Sequence, residues 1–447
     1  MKAIFVCVLV CAVSPFATPA DDPYAAAAHA LLQEHSHPGS AVTPLTLAEL
    51  ERIALQGNPE IRLAVRKVVT AESHISGAGA LEDPSLMYRG WQVPLRQPWD
   101  YNAAMNMFMV GQSFPGPGKR GLRSQIASDA VAVAKAELDT KRREISAGVR
   151  KDFYDLLRNA DELKIHDEQV SIAKQGLEAA RIKYSVGKVP QQDVLKAQVA
   201  LSKLVEHLVM LEQDAELGRA ALNALLGRNP ESPIEVTGEY ELPAHLPSVT
   251  ALEESALTNR PELAARFAAI TQAQDQLKLA RKAYTPDFYA SVGYMLMPTG
   301  SEHRNNYMIE GSMSLPWLNR RKHDTEISEA QSGVSEQEAE FEAARLMVFQ
   351  QIQSALVRAR AAKKLVDLYQ NTLRPQTEAA LRSTVIAYEN DRTDILSLLD
   401  GQNTSLDVDY SYFRALAEFE QRMAELELAV GAPIARSTQG VAEEVSR

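Results

Sequence analysis

The apolar and polar positions along the chain follow two periods, and each period predicts a type of element. After Pro115 and again after Pro316, apolar residues recur at helical spacing over runs far longer than an ordinary globular helix. No proline lies between Pro117 and Pro190, so a helix of up to about 70 residues, rising ~1.5 Å per residue, would reach ~100 Å. The apolar positions in this run are Leu122, Ile126, Ala130, Val133, Val149, Phe153, Leu156 and Leu163. We therefore expect long helices packed as coiled coils, with a kink or break at Pro375 in the second run.

Four shorter segments alternate apolar and polar residues, which is the period of a β-strand. We predict strands at about 84–94, 104–114, 286–297 and 306–315. Segments of this length with one apolar face are typical of membrane-crossing β-strands. Four strands alone would leave unpaired backbone groups at two edges in lipid. Two alternatives follow: the strands belong to a soluble domain, or several chains together close one barrel.

The chain consists of two copies of one unit. "ALQGNPEIRLA" at 54–64 aligns with "ALTNRPELAAR" at 256–266, and "YSVGKVPQQDVLKAQ" from Tyr184 aligns with "YENDRTDILSLLDGQ" from Tyr388. The offset between the copies drifts by only a few residues, which indicates duplication. In each unit we predict a leading helix of about 30 residues, a strand pair and a helical hairpin. The predicted boundaries are a signal peptide at 1–20, an N-terminal tail at 21–44, repeat 1 at 45–228, a linker at 229–250, repeat 2 at 251–431 and a C-terminal tail at 432–447. In repeat 1 the leading helix is predicted at about 45–80 and the hairpin at about 118–227. In repeat 2 they are predicted at about 249–283 and about 319–430.

Charge and the N-terminal pattern exclude several classes of function. The formal net charge of −11 argues against a nucleic-acid partner, which requires a basic surface. The first 20 residues, with Lys2, an apolar run and small residues before Ala20, are predicted to be a secretory signal peptide. Its alternatives are a buried N-terminal helix and a lipoprotein leader acylated at Cys11. Both cysteines, Cys7 and Cys11, lie in this segment, so we expect no disulfide and no thiolate metal site in the mature chain.

The rest of the sequence has no signature of catalysis or of a helical membrane span. No later stretch approaches the length of consecutive apolar residues that a membrane-spanning helix needs. The sequence contains no nucleophile–base pair, glycine-rich phosphate loop or cluster of metal ligands at a recognisable spacing. We therefore expect a non-enzymatic protein that needs no cofactor.

Together these features resemble the TolC-type outer-membrane efflux ducts, also called outer membrane factors. The likeness covers nearly all of the chain after the leader, from "LTLAELERIALQGNPEI" to "ELELAVGAPI". It rests on the "NPE" and "RPE" that open the units, the strand pairs that end in proline, the "DVLKAQ" after the first bend, and the "LLG" and "AVG" that close the halves. The stretch "FPGPGKR" looks closer to the heavy-metal branch of the family than to its drug branch.

The resemblance implies a mainly α-helical fold with a small membrane β part and two tandem repeats. Three copies would form a homotrimer in which each chain gives four strands to one β-barrel, while the hairpins form an α-barrel tunnel across the periplasm. The linker and both tails would form an equatorial layer. Such a trimer would sit among the lipids of the outer membrane as a passive duct and dock with a periplasmic adaptor and an inner-membrane efflux pump. A non-conducting periplasmic coiled-coil adaptor or scaffold is the alternative, and a general porin fits less well because porins lack such long helices.

The two aligned bends would then be hairpin tips at the periplasmic mouth of the duct. They lie at 184–192 and 388–394, and each repeat supplies one of them. Tyr184, Gly187 and Tyr388 mark the two tips. The duplication thus explains why one chain contains the same bend twice.

The resemblance also suggests which residues surround the aperture at that mouth. In the family, acidic residues just past the second tip ring the closed aperture; Asp400 matches one of them, whereas Ser397 stands where another acid is common. On the first tip, Lys196 faces Asp193 from one turn later. The candidate aperture residues are Asp391, Asp394, Asp400, Asp193 and Lys196. Copies of Asp400 around a threefold axis would attract cations, although carboxylates also simply favour a helix N-terminus.

Methionines are concentrated on one face of the predicted strands. An arginine facing lipid near the midplane costs about 2–4 kcal/mol, so we expect Arg89 and Glu310 to face a water-filled lumen. Alternation then places seven of the 12 methionines on the lumen side and leaves Met313 facing lipid. The lumenal candidates are Met87, Met105, Met107, Met109, Met295, Met297 and Met308. Thioethers suit the soft ions Cu(I) and Ag(I), but methionine also serves as a flexible packing residue.

The sequence leaves the cargo of such a duct open between two main classes. The methionines favour heavy-metal cations of the copper and silver type, and His29, His35 and His37 would add weak contacts near the N-terminus. Hydrophobic drugs or other small molecules are the alternative, and a protein substrate fits less well.

Overall fold

A computed structural model describes residues 44–390 and 392–435 of the chain. The predicted signal peptide and the three N-terminal histidines lie outside the described residues. The first repeat contains α1 (Leu47–Gly57), α2 (Pro59–Ala78), β1 (Ser85–Trp91), β2 (Met105–Phe114), α3 (Lys119–Ser185) and α4 (Gln191–Leu226). The second repeat contains α5 (Val249–Asn259), α6 (Pro261–Arg281), β3 (Phe288–Leu296), β4 (Asn305–Met313), α7 (Arg320–Leu368), α8 (Arg374–Glu389) and α9 (Ile395–Val430). None of the described helices combines the length and the hydropathy that crossing a membrane requires.

The helix that leads into each repeat is broken in two, which corrects the prediction of one continuous helix of about 30 residues. The breaks fall at Asn58, with φ −64° and ψ 127°, and at Arg260, with φ −80° and ψ 114°. Each of these residues precedes a proline, whose ring disfavours the helical conformation of the residue before it. Pro59 and Pro261 then open the next helix, at the position where a missing N–H costs nothing.

The residue at each break fastens the beginning of its repeat to the end of the same repeat. The Oδ1 atom of Asn58 accepts hydrogen bonds from two backbone N–H groups of α2, while its Nδ2 donates to the carbonyl of Leu225, 2.8 Å away, near the end of α4. In the second repeat, the guanidinium of Arg260 donates to the carbonyls of Leu428 (3.2 Å) and Ala429 near the end of α9. The "NPE" and "RPE" motifs therefore satisfy backbone carbonyls that a helix end otherwise leaves unpaired.

The glycines that end α4 and α9 allow this close approach. Gly227 and Gly431 have φ of 70° and 77°, in the left-handed region that favours glycine. A Cβ atom at Gly227 would lie 2.5 Å from the carbonyl oxygen of Gly57, and one at Gly431 would lie 2.8 Å from that of Asn259. Any larger residue would push the two ends of a repeat apart.

The second long helical run contains a local change of hydrogen bonding rather than a full break. A π-helix at Tyr369–Leu373 separates α7 from α8, and Pro375 follows in the first turn of α8. Proline lacks the N–H that an α-helix uses, and a π-bulge is one way to absorb the loss. Arg374 anchors the bend because its Nε donates to Oδ1 of Asp409 at 2.8 Å and its guanidinium lies 4.5 Å from the ring centroid of Tyr412.

Two apolar clusters, one for each repeat, hold the helices together. In the first, the side chains of Leu50, Phe153 and Leu222 are almost completely buried; in the second, those of Phe419 and Met423 are. Burial of a side chain of this size contributes about 1.5–3 kcal/mol. The clusters lie where the short leading helices pack against the long helices, and they contain most of the buried apolar side chains of the described residues.

The linker between the repeats runs over this packed region. Val236 forms an isolated parallel bridge with Leu45, through Leu45 N to Glu235 O at 2.9 Å and Thr237 N to Leu45 O at 3.0 Å. Tyr240 then stacks on Tyr154 of α3, with ring centroids 6.0 Å apart. These contacts bring the beginning of repeat 1 and the linker to the same level along the helices.

The four strands form one antiparallel sheet in the order β1-β2-β3-β4. The central pairing, β2 with β3, joins the two repeats. Within the described part of the chain, β1 and β4 each pair on one side only, so the sheet has two open edges.

Candidate functional site

The strand register places the candidate methionines on one face of the sheet. Met87 pairs with Met109, Met107 pairs with Met295, and Met308 pairs with Gly293, and residues directly opposite one another point to the same face. Arg89 and Glu310 share this face, because they pair with Met107 and Ser291. Met105 lies on it opposite Trp91, whereas Met297 falls one residue beyond the end of β3. The methionine face is therefore one continuous surface across all four strands.

The opposite face is apolar and strongly exposed. Tyr307 and Ile309 are both 85% exposed and Leu86 is 78% exposed. Met313 pairs with Phe288 and belongs to this second face. Large apolar side chains on the outside of a strand are what a protein presents to lipid. We refer to this surface as the apolar face.

The middle of the methionine face, on β2, is packed rather than open. The side chains of Met107 and Met109 are only 6% and 1% exposed. Glycine makes this packing possible, because a Cβ atom at Gly293 would lie 2.5 Å from Cγ of Met109. A Cβ at Gly111 would likewise collide with the ring of Tyr289. Whether this face borders a lumen remains a prediction.

At the other end of the molecule the two hairpin tips contact each other. Gly187, with φ 75°, turns the chain between α3 and α4. Lys183 lies 4.0 Å from the ring centroid of Tyr388, and its Nζ donates to the carbonyl oxygen of Tyr388 at 2.8 Å. Tyr184 and Tyr388, which align in the repeat, differ in environment: the first is 47% exposed and the second 6%. The aligned tyrosines therefore differ in role: Tyr388 is buried in the contact between the tips, whereas Tyr184 stays exposed.

The candidate aperture acids lie on α9 and α4, just after the tips. Asp394 caps α9, because its Oδ1 accepts two hydrogen bonds from Ser397, one from the backbone N–H at 3.0 Å and one from the side-chain hydroxyl at 2.6 Å. These hydrogen bonds, and the charge of Lys196, hold the pKa of Asp394 below its usual value. Asp400 is exposed and Asp193 is half-buried in the first turn of α4. Asp391 lies outside the described residues.

A groove of about 900 Å³ runs between α4 and α9 and brings some of these residues together. Lys196 and Asp400 line its end nearest the tips, whereas Asp193 and Asp394 do not line it. Further along, the groove is lined by His207, Tyr410 and Arg414, which lie outside the site predicted from the sequence. The groove therefore carries both signs of charge.

Behind the groove lies a buried polar cluster that sequence reasoning missed. Glu162 is fully buried; its carboxylate accepts hydrogen bonds from Arg158 at 2.9 Å and from Arg414 of α9 at 3.2 Å. One turn later His166 is also fully buried, and its Nδ1 lies 3.2 Å from the hydroxyl of Tyr410. The four-residue spacing of Arg158, Glu162 and His166 on one face of α3 was visible in the sequence. It was indistinguishable from a solvated face until the position of α9 was known.

The fold and these surfaces define a class of protein. A small antiparallel sheet with a strongly exposed apolar face, joined to a pair of very long helical hairpins, is the architecture expected of the TolC-type outer-membrane efflux proteins. The sequence profile described as "Outer membrane efflux protein" matches residues 51–228 and 252–432, and the chain belongs to this family. It is accordingly a non-enzymatic protein of the outer membrane whose helical part lies in the periplasm.

Individual relatives and solved structures agree with this assignment. The chain is 23% identical over 394 residues to the cobalt-zinc-cadmium resistance protein CzcC of Cupriavidus metallidurans, covering 88% of this chain and 92% of the relative. It is 20% identical over 420 residues to nodulation protein T of Rhizobium leguminosarum bv. trifolii, covering 88% and 87%. Among solved structures, the outer-membrane channel OprN superposes with a TM-score of 0.72 at 17% identity, covering 86% of this chain and 90% of OprN. CusC gives 0.72 at 16% identity, with 89% and 96% covered.

Proposed function

We propose that the protein is the passive exit duct of a tripartite efflux system. It works as a homotrimer that receives cargo from a periplasmic adaptor and an inner-membrane pump and releases it outside the cell. The observation that carries this proposal is the sheet, which combines a strongly exposed apolar face with two open edges. Unpaired backbone groups at such edges cost several kcal/mol each in hydrocarbon. Pairing β1 of one copy with β4 of the next removes both edges and surrounds a lumen with the methionine faces.

The linker and the tails would form the equatorial layer of this trimer. The bridge between Leu45 and Val236 supports the proposal, because it holds the beginning of repeat 1 against the linker beside the first apolar cluster. A non-conducting periplasmic scaffold would have no use for an exposed apolar sheet face, and membership of the efflux family argues against it. Fractionation tests the assignment: the protein is expected in outer membranes as a trimer that survives unheated electrophoresis. Recovery as a soluble periplasmic monomer would contradict it.

We further propose that the cargo is a heavy-metal cation. The methionine face supports this proposal, as does the printed name of the relative CzcC, a cobalt-zinc-cadmium resistance protein. The test is growth of a strain lacking the gene on copper, silver, cobalt, zinc and cadmium salts beside hydrophobic drugs and detergents. Hypersensitivity to metals alone supports a metal cargo. Sensitivity to drugs alone contradicts it and identifies the duct as one for amphiphilic molecules.

The acids near the tips are proposed to border the periplasmic aperture. Asp400 is the strongest candidate, since it is exposed, lines the groove, and has no hydrogen bond or ion pair to its carboxylate among the described residues. Asp394 serves as a helix cap and would add charge to the same opening. Lys196, on the opposite wall of the groove, would reduce the net negative potential there.

A further inference from the structure

Two histidines from adjacent helices lie side by side in the wall of the helical hairpins. His166 belongs to α3 and His207 to α4, and their ring centroids are 5.8 Å apart with an interplanar angle of 33°. His166 is completely buried, and its Nε2 has no hydrogen-bond partner among the described residues. The Nδ1 atom of His207 is also buried and, within that part of the chain, also lacks a partner. Buried imidazole nitrogens without partners are rare, so each requires an explanation.

The hydrogen bond of His166 to Tyr410 prepares its other nitrogen as a ligand. When Nδ1–H donates to the Tyr410 hydroxyl, 3.2 Å away, the proton resides on Nδ1 and the lone pair of Nε2 is free. Metal-binding histidines typically use their second nitrogen in this way, because the outer hydrogen bond fixes both the tautomer and the ring orientation. Burial, together with the neighbouring His207, also lowers the pKa of His166. A neutral imidazole is the form that binds a metal.

The spacing of the two rings matches a shared ion. A divalent ion bound at ~2.0–2.1 Å from an imidazole nitrogen lies ~3.2 Å from the centre of that ring. Two rings with centroids 5.8 Å apart would then subtend an angle of roughly 130° at the ion, about 20° wider than the tetrahedral angle that zinc prefers. We propose that His166 and His207 form a two-imidazole binding site for a borderline divalent transition-metal ion such as Co²⁺ or Zn²⁺. Imidazole suits ions of this class.

The groove between α4 and α9 gives such an ion a route to the site. His207 and Tyr410 both line this groove, while His166 lies behind them. The nearest buried carboxylate, Glu162, is already paired with Arg158 and Arg414 and is not available as a third ligand. The described residues contain no group of three or more histidine, cysteine, aspartate or glutamate side chains placed to hold a metal. Water from the groove would therefore complete the coordination, which favours rapid exchange of the ion over permanent storage.

This inference deepens the proposed function and rests on it for its biological meaning. In a metal duct, a weak site on the helical wall would hold cations in the same groove that the aperture residues Lys196 and Asp400 line nearer the tips. The chemistry itself is independent of transport, because binding is measured on the purified protein. Metal resistance of cells tests the duct, and metal binding tests the histidine site, so the two proposals fail separately.

The test uses the purified full chain in detergent, titrated with Co²⁺ and followed by the visible absorption of the ion and by X-ray absorption. The His166→Gln/His207→Gln variant is compared with His74→Gln/His303→Gln, which replaces two exposed histidines. We expect wild type and the exposed-histidine variant to bind one more Co²⁺ per chain than the buried-histidine variant, with two imidazoles on that ion. Zn²⁺ is expected to displace it. Equal binding by all three proteins, or loss of the ion in both variants, would overturn the proposal.

Two further substitutions keep the proposal testable if His166→Gln disturbs packing. His207→Gln alone changes a half-buried side chain at the groove and is expected to abolish the extra ion. Tyr410→Phe removes only the hydroxyl that orients His166 and is expected to weaken Co²⁺ binding about 10–100-fold, as loss of an outer hydrogen bond to a ligand does. Unchanged affinity in His207→Gln would overturn the site. Unchanged affinity in Tyr410→Phe would overturn the role given to Tyr410 as the residue that positions His166.

Discussion

Asp152 and Asp155 lie less than one turn apart on α3, beside the buried side chain of Phe153. Burial, with a smaller contribution from the charge of Asp155, raises the pKa of Asp152 to about 6. The folded protein therefore binds a proton on Asp152 more tightly than the unfolded chain does. Its contribution to stability is largest in acid and is lost as the pH rises from about 4 to about 6.

The Asp152→Asn variant should consequently be more stable than wild type above pH 6 and equally stable near pH 4. The shift corresponds to at most about 3 kcal/mol, and roughly half of that is expected because the side chain is only partly buried. Thermal unfolding of the helical circular-dichroism signal at pH 4 and pH 7.5 measures the difference. The control is Asp139→Asn, which changes a carboxylate on the exposed side of the same helix. An equal gain at both pH values would show that charge is not the cause.

Single residues also show how far sequence reasoning reaches. Alternation alone predicted that Met87 and Met308 lie on a common face, and the register of the sheet places them on one. Side chains alternate between the two faces of a strand, so the face of one residue determines the face of all the others. Glu162 and His166 were missed because a polar side chain in a long helix usually faces water. Only the packing of α9 against α3 reveals that these two are buried.

Contacts between helix ends join the beginning of each repeat to its end, in addition to the apolar clusters between the helices. Gly227 illustrates this role, since it combines a φ of 70° with a backbone oxygen 2.5 Å from where a Cβ would stand. Pairing of the opening and closing motifs was not predictable from the sequence: the residues align in the repeat, but nothing in their spacing shows that they touch.

The predicted fold class, mainly helical with a small sheet, is confirmed. The break at Asn58 was missed because the helical period continues through it.

Replacing Gly227 with alanine is expected to destabilise the protein by at least about 2 kcal/mol, because a left-handed conformation alone costs about 1–2 kcal/mol outside glycine. Gly176 is the matched control. It lies inside α3 with open space around its Cα, so Gly176→Ala is expected to stabilise by about 0.5–1 kcal/mol. The midpoints of thermal unfolding should move in opposite directions. A similar shift for both variants would contradict the close approach at Gly227.

Two substitutions at Asn58 separate its two roles. Asn58→Ala removes the cap of α2 and the hydrogen bond to Leu225, and is expected to cost about 2 kcal/mol. Asn58→Asp keeps the cap acceptor but loses the donor, and is expected to cost about 1 kcal/mol. Thermal unfolding of the two variants measures both contributions. Wild-type stability in Asn58→Asp would mean that the contact with Leu225 contributes nothing.

On the scale of the whole molecule, the surfaces of one chain support the proposed assembly of several copies. Its sheet has an apolar face that water disfavours and two edges that lipid disfavours, while its hairpins extend the other way and meet at their tips. Duplication explains the pairing of strands and hairpins, and the family resemblance drawn from the "NPE" and "LLG" motifs is confirmed by the match to the outer membrane efflux family. The cargo and the partners are not encoded in the fold, because the same architecture serves relatives with different names.

The central claim is that copies of this chain form a conducting duct whose aperture carries acidic residues. The most direct test is single-channel conductance of the purified protein in planar bilayers, for wild type and for Asp394→Asn/Asp400→Asn. Asparagine preserves the helix cap that Asp394 provides but removes the charge. We expect discrete conductance steps with a preference for cations in wild type, and larger steps with a weaker preference in the variant. Absence of conductance in both proteins, although each is extracted from the outer membrane as a trimer, would contradict the account.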